Sequence, residues 1–141
     1  MHNPCFLCRG LVVAFLSVAA CHDTTSPGVA LSVTRQPDFG AAVTASTCQH
    51  FFSPAGWVSQ YEIRVTMAYP DTGSAGVFLG ASRPVFIRRA SQLARATPGD
   101  IAPGDFIQVW TDGSVGHGQA GFPVATPIYS AIQVLIGPVA P

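Results

Sequence analysis

Runs in which apolar and polar residues alternate, cut at short intervals by glycine or proline, leave this chain little to build except strands. Along Tyr61-Glu62-Ile63-Arg64-Val65-Thr66-Met67, the side chains of Ile63, Val65 and Met67 share one face, while Glu62, Arg64 and Thr66 share the other. This period of two marks a half-buried strand. The 14 Gly and 12 Pro among 141 residues exceed ordinary usage, which predicts many turns between short elements.

The same pattern gives candidate strands at 29–34, ended by Gln36-Pro37-Asp38, and at 41–47. Residues 51–56, carrying Ser53-Pro54-Ala55-Gly56, read as a turn-rich link. Beyond the strand that begins at Tyr61, a loop is expected at 70–74 and short strands at 77–80 and 84–88. Ser91-Gln92-Leu93-Ala94-Arg95-Ala96 has the best helix propensity, and Thr97-Pro98-Gly99 ends it after little more than one turn. Gly104-Asp105 turns into Phe106-Ile107-Gln108-Val109-Trp110, Thr111-Asp112-Gly113 is a hairpin signal, and a glycine-rich loop runs over 113–121. The last strand is expected at 128–136. No internal repeat or coiled-coil pattern is present.

From Tyr61 onward the order is three strands, a helical turn and two strands, which matches a small OB-like five-stranded barrel whose helix bridges strands three and four. The expected fold is therefore all-β: a barrel over 61–137 with one short helical turn, preceded over 29–60 by one or two extra strands. Gly104-Asp105, the strand Phe106-Ile107-Gln108-Val109-Trp110, Thr126-Pro127-Ile128-Tyr129 and Ala131-Ile132-Gln133-Val134 resemble the carboxy-terminal half of the YobA-like domain of unknown function of small bacterial lipoproteins. Tyr129 or Ser130 stands near that family's glutamine, and the 113–121 loop is longer than usual. The resemblance implies an architecture and a cellular location, and no mechanism.

The amino-terminal region carries its own address. Arg9 precedes an apolar run over 11–20, and Val18-Ala19-Ala20-Cys21 stands at its end. Ten residues make a helix of roughly 15 Å, about half the hydrocarbon core of a bilayer. The run is too short to span. Val18-Ala19-Ala20-Cys21 resembles the lipobox of a bacterial lipoprotein signal peptide. That resemblance implies removal of residues 1–20, a diacylglyceryl group on the Cys21 sulfur and, as a rule, a further acyl chain on its amine. An ordinary secretory signal cut after Ala20, leaving Cys21 a plain thiol, is the alternative. Residues 21–28 read as a flexible tether. His22 follows the cysteine and Asp23 comes one place later, which favours the outer membrane, facing the periplasm, where the cell has one.

Charge narrows the function classes. All seven basic residues are Arg, none is Lys, and seven acids balance them. Nucleic-acid binding normally shows a basic excess, so no nucleic-acid partner is expected. Charged residues make up only 10% of the chain, a surface poorly defended against association, so an envelope protein, a glycan or a lipid is a plausible partner. With Cys5 and Cys8 in the signal and Cys21 acylated, Cys48 is left as the lone thiol, without an intrachain disulfide. Cys48-Gln49-His50 holds two soft-metal ligand types, and two ligands make no site, so neither metal nor cofactor is expected.

Catalysis finds no foothold. There is no Gly-x-Ser-x-Gly elbow and no Ser-x-x-Lys. Glu62 is the sole Glu, and Asp100, Asp105 and Asp112 sit where turns favour Asp. The candidate binding residues are Trp57 with Phe51, Phe52 and Tyr61, and Trp110 and Tyr129 elsewhere, as an aromatic platform for sugar or peptide, and His117 in a glycine-rich segment. Core packing is the alternative for the aromatics, and a hairpin tip for His117. Arg83, Arg88, Arg89 and Arg95 offer a small basic face. The sequence thus predicts a noncatalytic, lipid-anchored binding or accessory lipoprotein of the cell envelope. A structural envelope-assembly lipoprotein is the alternative, and a hydrolase using His117 and Asp112 a distant one.

Overall fold

A computed structural model describes residues 28–118 and 121–137. The signal peptide expected at 1–20, Cys21 and the expected tether up to residue 27 lie outside these residues. Among the described residues seven strands follow in chain order: β1 (Phe39–Ser53), β2 (Gly56–Tyr69), β3 (Gly73–Gly80), β4 (Val85–Arg89), β5 (Gln92–Ala96), β6 (Phe106–His117) and β7 (Pro127–Ile136), with a single 3-10 turn at Pro98–Asp100. The fold is all-β.

The strands form one sheet in the order β3-β2-β1-β6-β7-β4-β5, and β7 pairs in addition with β3. Five of them, β1, β2, β3, β7 and β6, therefore close a ring, from which the β4–β5 hairpin hangs. β7 makes this possible by changing neighbours: its first half lies parallel to β3 (Gly76 opposite Ile128) and its second half parallel to β4 (Val85 opposite Val134).

A barrel of five strands counted from Tyr61 is corrected by this topology. The ring takes in β1, which the sequence assigned to an extension, and leaves out Val85–Arg89. β2 runs unbroken through Gln60 and Tyr61, so a boundary at that point falls inside a strand. Residues 51–56 form the closed end of the β1–β2 hairpin, where Ser53 pairs with Gly56. The helical turn expected at 91–96 is strand β5, paired with β4 from Val85–Ala96 to Arg89–Gln92. Six residues gain too few helical bonds to offset nucleation, whereas a neighbouring strand offers a ready ladder.

Thr111-Asp112-Gly113 does not reverse the chain. Thr111 faces Ala131 and Val115 faces Tyr129, so residues 112–114 are extruded as a bulge within β6. The Asp112 carboxylate accepts the Ser114 N–H at 2.8 Å, and Gly113 takes φ +90°. Local turn chemistry here bends one strand and raises its twist.

The inward faces supply the core. Ile63, Val65, Val77, Leu79, Ile107, Val109 and Val134 are buried within the ring, while Glu62, Arg64 and Thr66 face outward, as the alternation dictates. A second, smaller core lies outside the ring, where Phe86, Trp110 and Leu135 are covered by Leu31, Val33, Leu93 and Ile132. Residues 29–34 thus act as a strap and not as the strand expected from their pattern. The strap is tied down by polar groups. Trp110 Nε1–H donates to the Arg35 carbonyl at 2.7 Å, and Asp38 accepts the Thr111 N–H at 2.7 Å while its carboxylate meets the Arg35 guanidinium at 2.9 Å.

Candidate functional site

β1 and β2 outrun their neighbours. The β1–β6 ladder ends at Ala42 and the β2–β3 ladder at Gln60, whereas the β1–β2 ladder continues to Ser53–Gly56. Residues past Gln49 and before Gln60 therefore form a two-stranded ribbon, four residues or roughly 13 Å long at about 3.3 Å per residue. Phe51 opposes Val58, Phe52 opposes Trp57 and His50 opposes Ser59.

Alternation puts Phe52 and Trp57 on one face of the ribbon, and Phe51 and Val58 on the other. All four are exposed, Phe52 at 70% and Trp57 at 66%. The exposure is ordered. The His50 and Trp57 rings stack at 4.9 Å with only 4° between their planes, and Phe52 meets Trp57 edge-on at 5.5 Å. His50 Nδ1 and Ser59 Oγ stand 3.0 Å apart. Aromatic pairs of this kind favour one arrangement of the exposed rings by about 0.5–1.5 kcal/mol. Between Asp38 and Glu62 the chain carries no Asp, Glu, Lys or Arg.

At the base of the ribbon an open cleft of about 410 Å³ is lined by Ser59 and Tyr61 of β2, by Arg83 in the β3–β4 turn, and by Arg95 at the end of β5. Arg95 is held over the Phe86 ring, its cross-strand partner, at 5.8 Å. The lining contains two guanidinium groups and no carboxylate. Ser59 joins the two features, touching His50 on the ribbon and facing the cleft. The Asp112 carboxyl is held below the usual carboxylate range, chiefly by the Ser114 hydroxyl and N–H, and the positive charge of Arg83 acts in the same direction.

The residues singled out from the sequence are dispersed. Trp57 is on the ribbon. Trp110 is 2% exposed with its indole N–H bonded to Arg35, which places it in the outer core and removes it from any surface platform. Tyr129 is half-buried against Phe39 at 4.9 Å. His117 closes β6 opposite Pro127, beside the loop whose Phe122 lies under the Arg64 guanidinium at 4.1 Å. Gly76 makes room for that ring, since a Cβ there would stand 2.8 Å from Phe122. Arg64 is seven residues along β2 from Trp57, roughly 23 Å, so Trp57 and His117 do not share a site. Among the described residues no three His, Cys, Asp or Glu converge on a metal position.

In the full chain Cys48 is disulfide-bonded, so its sulfur is not offered to a soft metal beside His50; the reading of it as the lone thiol concerns the chain that begins at Cys21. Sequence reasoning grouped Phe51, Phe52 and Tyr61 with Trp57, and missed His50 as the ring stacked on Trp57 and Ser59 as a cleft wall. Their signal was the uncharged interval 39–61 around Ser53-Pro54-Ala55-Gly56, which marks a hairpin with nothing to cover it. The chain matches no protein-family model, no curated protein and no solved structure.

Proposed function

We propose that this protein is a noncatalytic binding module of the bacterial cell envelope, held to its membrane by acylation of Cys21. The observation that carries the binding role is the ribbon, where four exposed apolar side chains, Phe52 and Trp57 among them in ring contact, stand beside a two-arginine cleft. Exposed aromatic clusters of this kind mark contact sites, because leaving them solvated forgoes about 1.5–3 kcal/mol for each large apolar side chain. The cleft adds a preference for ligands that present an anionic or hydrogen-bond-accepting group to Arg83 and Arg95. Val18-Ala19-Ala20-Cys21 and the likeness of residues 104–134 to the YobA-like domain favour the envelope setting.

Two measurements test this reading. Intact mass of the protein extracted from bacterial membranes is expected to correspond to a chain beginning at an acylated Cys21, and Cys21→Ser to lose the lipid mass. Recovery of a chain that retains Met1 overturns the anchor. On arrays of envelope glycans and peptides, saturable binding that is lost in Trp57→Ala and retained in Trp57→Phe supports the module. Binding indifferent to Trp57, Arg83 and Arg95 overturns this surface as its site.

A further inference from the structure

We infer that the β1–β2 ribbon is a membrane-inserting element, its tip entering the lipid interface while Arg83 and Arg95 meet anionic headgroups. The inference names the occupant of the surface described above, and so rests on that surface being one of recognition.

Three observations favour a bilayer over a protein or a second copy of this chain. A docking face for a folded partner is apolar on one side, whereas this tip is apolar on both: Phe52 and Trp57 on one face, Phe51 and Val58 on the other. A surrounding apolar medium buries both faces at once. No formal charge lies between Asp38 and Glu62, so nothing charged need leave water as the tip descends, and Trp is a residue that settles at the headgroup boundary. The positive charge is also at a suitable depth. Ser59, on the cleft wall, is three residues from Gly56, roughly 10 Å. Interfacial elements sink about 5–10 Å, which brings the cleft to the level of the lipid phosphates.

Trp57 is itself the probe: Trp110 is buried and shielded from acrylamide, and its emission is subtracted with Trp57→Phe. The full chain is mixed with vesicles of phosphatidylethanolamine and phosphatidylglycerol, with and without brominated acyl chains. Trp57 emission is expected to shift to the blue, to be quenched by the brominated chains, and to lose its accessibility to acrylamide. In a Phe51→Asn/Phe52→Asn variant Trp57 is expected to stay in water even where the amino-terminal segment holds the protein on the vesicle, and the fraction of Trp57 buried to fall about tenfold. Arg83→Gln/Arg95→Gln is expected to abolish any preference for phosphatidylglycerol over phosphatidylcholine and the salt dependence that accompanies it.

Trp57 that remains open to acrylamide on vesicle-bound protein overturns the inference. So does Trp57 burial without lipid that rises with protein concentration alongside a doubled mass, which assigns the ribbon to a second copy. Glycan or peptide binding through Trp57 with no vesicle response overturns the inference and leaves the binding module standing, whereas failure of both removes the module as well.

Discussion

The Gln133 carboxamide grips the backbone of Val33 at both ends, its Oε1 accepting the Val33 N–H at 2.8 Å and its Nε2–H donating to the Val33 carbonyl at 3.1 Å. One buried side chain thereby does for the strap what a neighbouring strand does in a ladder. Gln133→Leu leaves both backbone groups without these partners, at a cost of about 1–3 kcal/mol. Urea denaturation is expected to show the loss, and hydrogen exchange to show it concentrated at residues 29–36.

The two tryptophans are expected to respond in opposite ways. Trp110→Ala empties the outer core beside Phe86 and Leu135 and orphans the Arg35 carbonyl, for a loss of about 3–5 kcal/mol. Trp57→Ala, at an exposed site, is expected to cost about 1 kcal/mol or less, chiefly the stacking with His50 and Phe52. Comparable losses from both in denaturant melts contradict the placement of Trp57 on a free ribbon.

Asp38 makes the strap sensitive to acid. Burial pushes its carboxyl up, but the Arg35 guanidinium and the Thr111 N–H and hydroxyl outweigh burial and hold it below its ordinary value of 3.8. A carboxyl depressed by folding adds stability above its unfolded pKa and loses it as pH falls through the folded one. Stability is thus expected to decline below about pH 4, and Asp38→Asn to remove that part of the decline. Melting temperature against pH for the two proteins measures it.

Gln108 Nε2 is buried and finds no hydrogen-bond partner among the described residues. An amide in that state costs about 1–3 kcal/mol. Gln108→Met, similar in length and without the donor, is expected to raise the melting temperature, and a drop in calorimetry contradicts an unmet donor there.

Where a segment's own chemistry decided its conformation, the sequence read true. The alternation from Tyr61 to Met67 describes β2's inward and outward faces, and Ile128 to Ile136 lies within β7. Where the deciding partner is distant in sequence, it did not. Ser91 to Ala96 carries helix-forming residues, yet Phe86 and its neighbours on β4 draw it into a ladder. Residues 29–34 alternate like a strand, yet Gln133 holds Val33 from a hundred residues away. Trp57 and Trp110 are indistinguishable by type, and only the differing lengths of the β1, β3 and β6 ladders expose one and bury the other. Arg83 and Arg95 share a cleft because β4 and β5 fold back as a hairpin, which six helix-prone residues concealed.

The last strand has three partners, β6, β3 and β4, and this fixes the timing of folding. Until Ile128 to Ala131 of β7 are available the ring stays open along two ladders, and no earlier stretch among the described residues shuts it. Assembly therefore waits on pairings about fifty residues apart, Gly76 with Ile128 and Val85 with Val134, a slow regime for chains of this topology. A protein so constructed remains threadable while it is being made, and acquires its rigid form once β7 has been delivered.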